Sequence, residues 1–135
     1  MEKIKRIDHI AVVVEDLDAA LLFWEDKLGL SLEKVETVTS QEVKIAFLPV
    51  GESEIELLEP LTGDSGVAKF LRKRGPGMHH LCLEVENISQ KLLELKQQGV
   101  SLIHEDPLVM DDGRKMAFLH PGSAHGVLIE LYQLP

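Results

Sequence analysis

The chain has 135 residues, 44% of them hydrophobic, with 23 acidic against 14 basic side chains and a formal charge of −9. That is one globular domain large enough to bury a core without disulfide staples, and the single cysteine, Cys82, agrees with a reducing compartment. The acidic balance works against nucleic acid as a partner, the longest apolar run (Ala19 to Trp24) is far too short for a membrane span, and the first residues show no secretory pattern, so the expected setting is cytoplasmic.

In chain order, residues 7 to 14 read as an apolar strand. Asp16 or Asp18 then offers an N-cap carboxylate for a helix running to Leu28, and Gly29 is placed to end it in the left-handed conformation. Stretches 31–39, 43–50 and 54–59 have strand composition, with Gly51-Glu52-Ser53 as the turn between the last two. Residues 64 to 74 read as a linking helix, capped by Asp64 or Ser65 and stopped by Gly75-Pro76. The pattern then restarts: a strand over 79–86, a helix from a Ser89 cap through Gln98 to Gly99, and strands over 101–105, 115–120 and 127–133. Each half is expected to be a βαβββ module, the first over about 5–60 and the second over about 77–135.

The halves repeat one another. Ile7 to Leu17 aligns with Met78 to Ile88 at an offset of 71, and Ile55-Glu56-Leu57-Leu58 aligns with Ile129-Glu130-Leu131-Tyr132 at 74. Successive strand side chains face opposite sides of a sheet, so His9 opposes the apolar set Ile10, Val12 and Val14, and His80 opposes Leu81, Leu83 and Val85. Glu56 and Glu130 likewise stand against Ile55 and Leu57, and against Ile129 and Leu131. If the purely apolar faces pack under the helices, two histidines and two glutamates occupy the other faces at matched positions. A lone strand histidine is usually a hydrogen-bonded core residue; repetition is what lifts these four. Two imidazoles and two carboxylates suit a divalent first-row ion such as Co²⁺, Ni²⁺, Zn²⁺ or Mn²⁺. Among the remaining histidines His79 adjoins His80, but the repeat aligns His80 with His9 and sets His79 over Asp8.

A βαβββ repeat carrying His, Glu, His and Glu in this order resembles the vicinal oxygen chelate superfamily, which includes glyoxalase I, over essentially the whole chain. Asp8-His9-Ile10, Ile55 to Pro60, Ser65 to Leu71, Gly77 to His80, and His120-Pro121 followed by Gly126 to Leu131 further resemble the methylmalonyl-CoA epimerases. The resemblance implies an α+β fold in which two tandem modules form a curved, partly open barrel around a metal site. It implies metal ligands His9, Glu56, His80 and Glu130, with Co²⁺ foremost as the ion. It also implies an acyl-CoA substrate, a homodimer, and an isomerase that inverts C2 by deprotonation and reprotonation, with Glu130 as one acid/base. Some members carry a second Glu in the third strand; here Lys44 aligns with it, and Glu42 lies two residues earlier. Lys44 is therefore a candidate second base, or else a contact for the substrate carboxylate. Lys69, Arg72, Lys73, Arg74, Arg114 and Lys115 are the basic positions available for an anionic substrate. A glyoxalase-type lactoylglutathione lyase, or another metal-dependent isomerase of the superfamily, would use the same four ligands on another chelating substrate. A non-catalytic small-molecule-binding protein of this fold would need no ligand set.

Overall fold

The structure is a computed structural model describing residues 1–135, and the chain folds as two compact units. One unit is His9–His79; the other joins Met1–Asp8 to His80–Pro135. The elements are β1 (Ile4–Val13), α1 (Leu17–Leu21), β2 (Lys34–Val38), β3 (Val43–Val50), β4 (Ser53–Pro60), α2 (Gly66–Arg74), β5 (Gly77–Val85), α3 (Ile88–Gln97), β6 (Leu108–Val109), β7 (Lys115–Leu119) and β8 (Ile129–Gln133).

In the first unit the strands run in the order β2-β3-β4-β1. β1 is parallel to β4, while the β3–β4 and β2–β3 pairs are antiparallel. One face of this sheet packs Val14, Ala46, Leu48 and Leu57 beneath α1, with Leu17, Ala20 and Leu21 above them. The opposite face is not bare. Ala11, Val13, Val43, Ile45 and Leu58 pack there against Val67, Phe70 and Leu71, which α2 supplies, so the linking helix seals part of the face that carries His9. α2 begins where Ser65 accepts a hydrogen bond from the Ala68 N–H at 3.0 Å.

The second unit repeats the plan in the order β5-β8-β7-β6, with β5 parallel to β8 and the other pairs antiparallel. Val85, Ala117, Leu119 and Leu131 pack under Ile88 and Leu92 of α3, and Cys82, Met116 and Tyr132 form the core of the other face. Its N-terminal segment is tied down by charge. The Glu2 N–H donates to both carboxylate oxygens of Glu94 at 2.9 and 2.8 Å, Lys91 Nζ donates to the Glu2 carbonyl at 2.8 Å, and Arg6 Nε donates to buried Glu84 at 2.7 Å.

The repeat extends to how each helix starts. Asp16 accepts from the Ala19 N–H, and 71 residues on Asn87 accepts from Gln90. The Leu17 N–H donates to Glu59 at 2.9 Å, and the Ile88 N–H to Gln133 at 2.8 Å; those acceptors stand 74 residues apart. Each helix thus has an early amide held by the end of its own module's last strand, a contact worth about 1 kcal/mol.

Several expectations need correction. Asn87, not Ser89, caps α3, since its extended backbone (φ −135°) turns the side-chain oxygen toward the Gln90 amide. The first helix is α-helical only to Leu21; from Leu22 to Lys27 it widens into a π-helix, with the Leu28 N–H donating back to the Phe23 carbonyl at 2.8 Å. Residues 101–105 form no strand. They run beside β7 through a single bridge between Leu102 and Leu119, with the Ile103 and His104 amides both donating to the Phe118 carbonyl, and the ladder on β7 is taken instead by β6.

Candidate metal centre

Each unit builds one histidine–carboxylate pair, and both pairs are built alike. In the first unit Ala11 lies opposite Glu56 across the β1–β4 ladder, and Phe47 lies opposite Glu56 on its other side. In the second, Cys82 and Phe118 lie opposite Glu130 in the same two places. His9 and His80 each stand two residues before those partners, on the glutamate-bearing face. The result is close contact in both units: His9 Nδ1 lies 3.2 Å from Glu56 Oε2, and His80 Nε2 lies 3.0 Å from Glu130 Oε1. His9 is 2% exposed and Glu130 5%, a depth at which a lone charge would be costly. Small or apolar neighbours make the depth: Ala11 and Cys82 are fully buried, and the Phe118 ring stands edge-on to the His80 imidazole at 5.5 Å.

Three of the other histidines, His79, His104 and His120, are engaged elsewhere. His79 stacks edge-on against Phe70 of α2, ring centroids 4.9 Å apart, so β5 turns the two adjacent imidazoles to opposite sides. His104 Nδ1 accepts the Phe118 N–H at 3.0 Å, and His120 Nδ1 accepts the Gly122 N–H at 3.0 Å, both structural bonds.

Lys44 does not reach the His9–Glu56 face. It alternates with Val43, Ile45 and Phe47 along β3 and shares the α1 side with Ala46 and Leu48, while Glu56 stands opposite Phe47. Its ladder partner is Glu59, the acceptor for the first amide of α1. Glu42 does not extend that alternation: it sits at φ +54° in the turn before β3, where the left-handed backbone breaks the strand's period. Of the basic positions, Arg72 donates to the Gly63 carbonyl and Arg74 lies over the Phe70 ring at 5.6 Å, so both are engaged by their own helix and its approach. Arg114 lies over the Tyr132 ring at 5.3 Å, on the face that carries Glu130.

A protein with this repeated plan falls in a defined class. The family model of the Glyoxalase/Bleomycin resistance protein/Dioxygenase superfamily matches residues 8–118, and the chain belongs to that superfamily. Among individual relatives, the mouse mitochondrial methylmalonyl-CoA epimerase is 38% identical over 132 residues, which are 97% of this chain and 74% of the mouse one. The crystal structure of a hypothetical protein from Bacillus halodurans C-125 matches with a TM-score of 0.91 at 45% identity, covering 96% of this chain and 94% of that one. The Streptomyces coelicolor methylmalonyl-CoA epimerase in complex with 2-nitronate-propionyl-CoA matches with a TM-score of 0.87 at 34% identity, covering 97% and 95%. The fold is glyoxalase-like, as expected.

Many members of such a family work with a divalent ion, and the donor chemistry here fits one. Each unit presents an imidazole nitrogen and a carboxylate oxygen at hydrogen-bond distance, on side chains no more than 12% exposed, the borderline-hard N/O combination that first-row divalent ions take.

Proposed function

We propose that this chain is a metal-dependent epimerase acting on methylmalonyl-CoA, with His9, Glu56, His80 and Glu130 together holding one divalent ion, Co²⁺ foremost. The observation that carries this reading is the duplication of a largely buried histidine–carboxylate pair, at the same ladder positions in both units. An isolated pair is a common way to satisfy a buried histidine; two pairs with matched neighbours imply a shared purpose. The identity with named epimerases over almost the whole chain supplies the substrate class.

The hydrogen on C2 is flanked by a thioester and a carboxylate, so its removal leaves an enolate whose charge must be met. The ion, when bound, supplies Lewis-acid stabilisation of that charge. The protein supplies the proton work. Glu130 accepts the C2 proton as that C–H bond breaks and its electron pair moves into the conjugated system; a donor on the other face then completes inversion at C2. An ionised, buried carboxylate has a suitable acceptor oxygen for this role, and His80 at 3.0 Å keeps it oriented. Lys44, on the α1 side of its sheet, takes no part in this scheme. A cytoplasmic homodimer is the assembly and setting that go with this proposal.

Proton NMR of methylmalonyl-CoA in D₂O with the Co²⁺-loaded protein tests the reading. Rapid loss of the C2 proton signal, with collapse of the methyl doublet, is expected. Absence of exchange in a metal-replete sample would overturn it.

A further inference from the structure

Two arginines reach the Glu130-bearing face of the second unit: Arg6, whose guanidinium is committed to Glu84 and Asp8, and Arg114. Arg114 precedes β7 and is anchored twice: its Cζ lies 5.3 Å from the centroid of the Tyr132 ring, and its Nε donates to Asp112 Oδ2 at 2.7 Å. The Arg114 backbone N–H also donates to the other oxygen, Asp112 Oδ1, at 3.0 Å. Those bonds, the backbone one foremost, hold the Asp112 carboxyl below its ordinary range, so the clamp stays charged at neutral pH. The anchoring uses one edge of the guanidinium only. Its two terminal nitrogens make no hydrogen bond within the chain, although the side chain is only 36% exposed and part of its hydration has been stripped away. Asp8, the other carboxylate whose charge reaches Arg114, is already engaged by Arg6 at 2.9 Å.

An arginine fixed along one edge, with its fork unengaged, is pre-organised for a two-oxygen anion, because the entropy of holding the long side chain has already been spent on protein contacts. Its position narrows the choice of anion. Tyr132 lies two residues beyond Glu130 on the same side of β8, roughly 7 Å along the strand. The free carboxylate of a methylmalonyl thioester is bonded directly to C2, the carbon whose proton Glu130 takes. The phosphates of CoA sit many bonds away, at the far end of the pantetheine arm.

We propose that Arg114 binds the free carboxylate of the substrate and so selects carboxylated acyl thioesters over their uncarboxylated counterparts. The inference rests on the epimerase reading above and adds a specificity residue to it. Binding comes from the fork of terminal N–H groups; Tyr132 and Asp112 position the fork.

Equilibrium titration of the Co²⁺-loaded protein with methylmalonyl-CoA and with propionyl-CoA, which lacks only the carboxylate, tests this. The wild type should prefer methylmalonyl-CoA; if it prefers neither, the epimerase reading itself fails. In Arg114→Ala, methylmalonyl-CoA should weaken on the order of 10- to 100-fold with propionyl-CoA unchanged, the scale of a lost bidentate charged pair. Arg114→Lys, which keeps the charge but not the fork, should recover only part of that loss and guards against a folding defect in the alanine variant. Equal weakening of both ligands would assign Arg114 to a CoA phosphate and overturn the proposal, and so would no change in either.

Discussion

Exchanging Glu130 for glutamine separates its proton chemistry from its place in the structure. Glutamine has the same heavy-atom shape, so the side chain stays in its 6%-exposed position, and an amide oxygen can still lie at about the 3.0 Å that Glu130 Oε1 keeps from His80 Nε2. What disappears is the charge and the ability to accept a proton. Removing a general base typically lowers the rate by about 10²- to 10⁴-fold, equivalent to roughly 3–5 kcal/mol of barrier. Glu56→Gln makes the same chemical change at the matched position of the other unit, where only metal holding is assigned, and should retain substantial turnover. Lys44→Met should be near wild type, because Lys44 stands on the opposite side of its sheet from Glu56. The assay is C2 deuterium exchange with excess Co²⁺, with bound metal measured in the same samples so that rates are expressed per metal-loaded site. Near-normal exchange by a metal-replete Glu130→Gln protein would refute the assignment and reduce Glu130 to a ligand.

Other expectations follow from the same geometry. Bound cobalt, measured after dialysis, should fall close to zero in His80→Ala and stay near wild type in His79→Ala, whose imidazole packs on Phe70 instead; the opposite pattern would reverse the register of β5. Gln133→Ala leaves the amide of fully buried Ile88 without its acceptor and should cost about 1 kcal/mol, a fall in Tm of about 3–4 °C, whereas Ser89→Ala should be silent. The Glu2 N–H holds the Glu94 carboxyl below its ordinary range. A depressed carboxyl contributes stability that is complete above the ordinary carboxylate range and lost as pH falls through the lowered value, so the Glu2 amide resonance should shift only below the range in which an ordinary glutamate titrates. Glu94→Gln should abolish that titration; a shift that persisted in the variant would assign it to another group.

Much of the plan is local and therefore legible in the chain. The period of two places His9, His80, Glu56 and Glu130 on particular strand faces without knowledge of any partner strand, and duplication marks those four among ordinary strand residues. Asp16, Ser65, Gly29 and Gly99 punctuate helices through backbone conformations that their own side chains favour, and Gly29 and Gly99 do take positive φ, +96° and +82°. Tertiary structure decided whatever depends on a partner distant in sequence. Ser89 and Asn87 both have capping chemistry, and the choice fell to the residue whose backbone was extended where β5 ends, with Gln133 of β8 holding the next amide. The sequence position of Lys44 does not show which side of β3 faces Glu56; the β3–β4 register and the packing of Ala46 and Leu48 under α1 settle its side. The role of α2 as a cover over the His9 face, and the seating of Arg114 on Tyr132, arise from side chains that meet only after the strands have paired. Alternation and capping are set within a few residues of backbone, whereas register and packing are set by contacts that exist only in the folded chain.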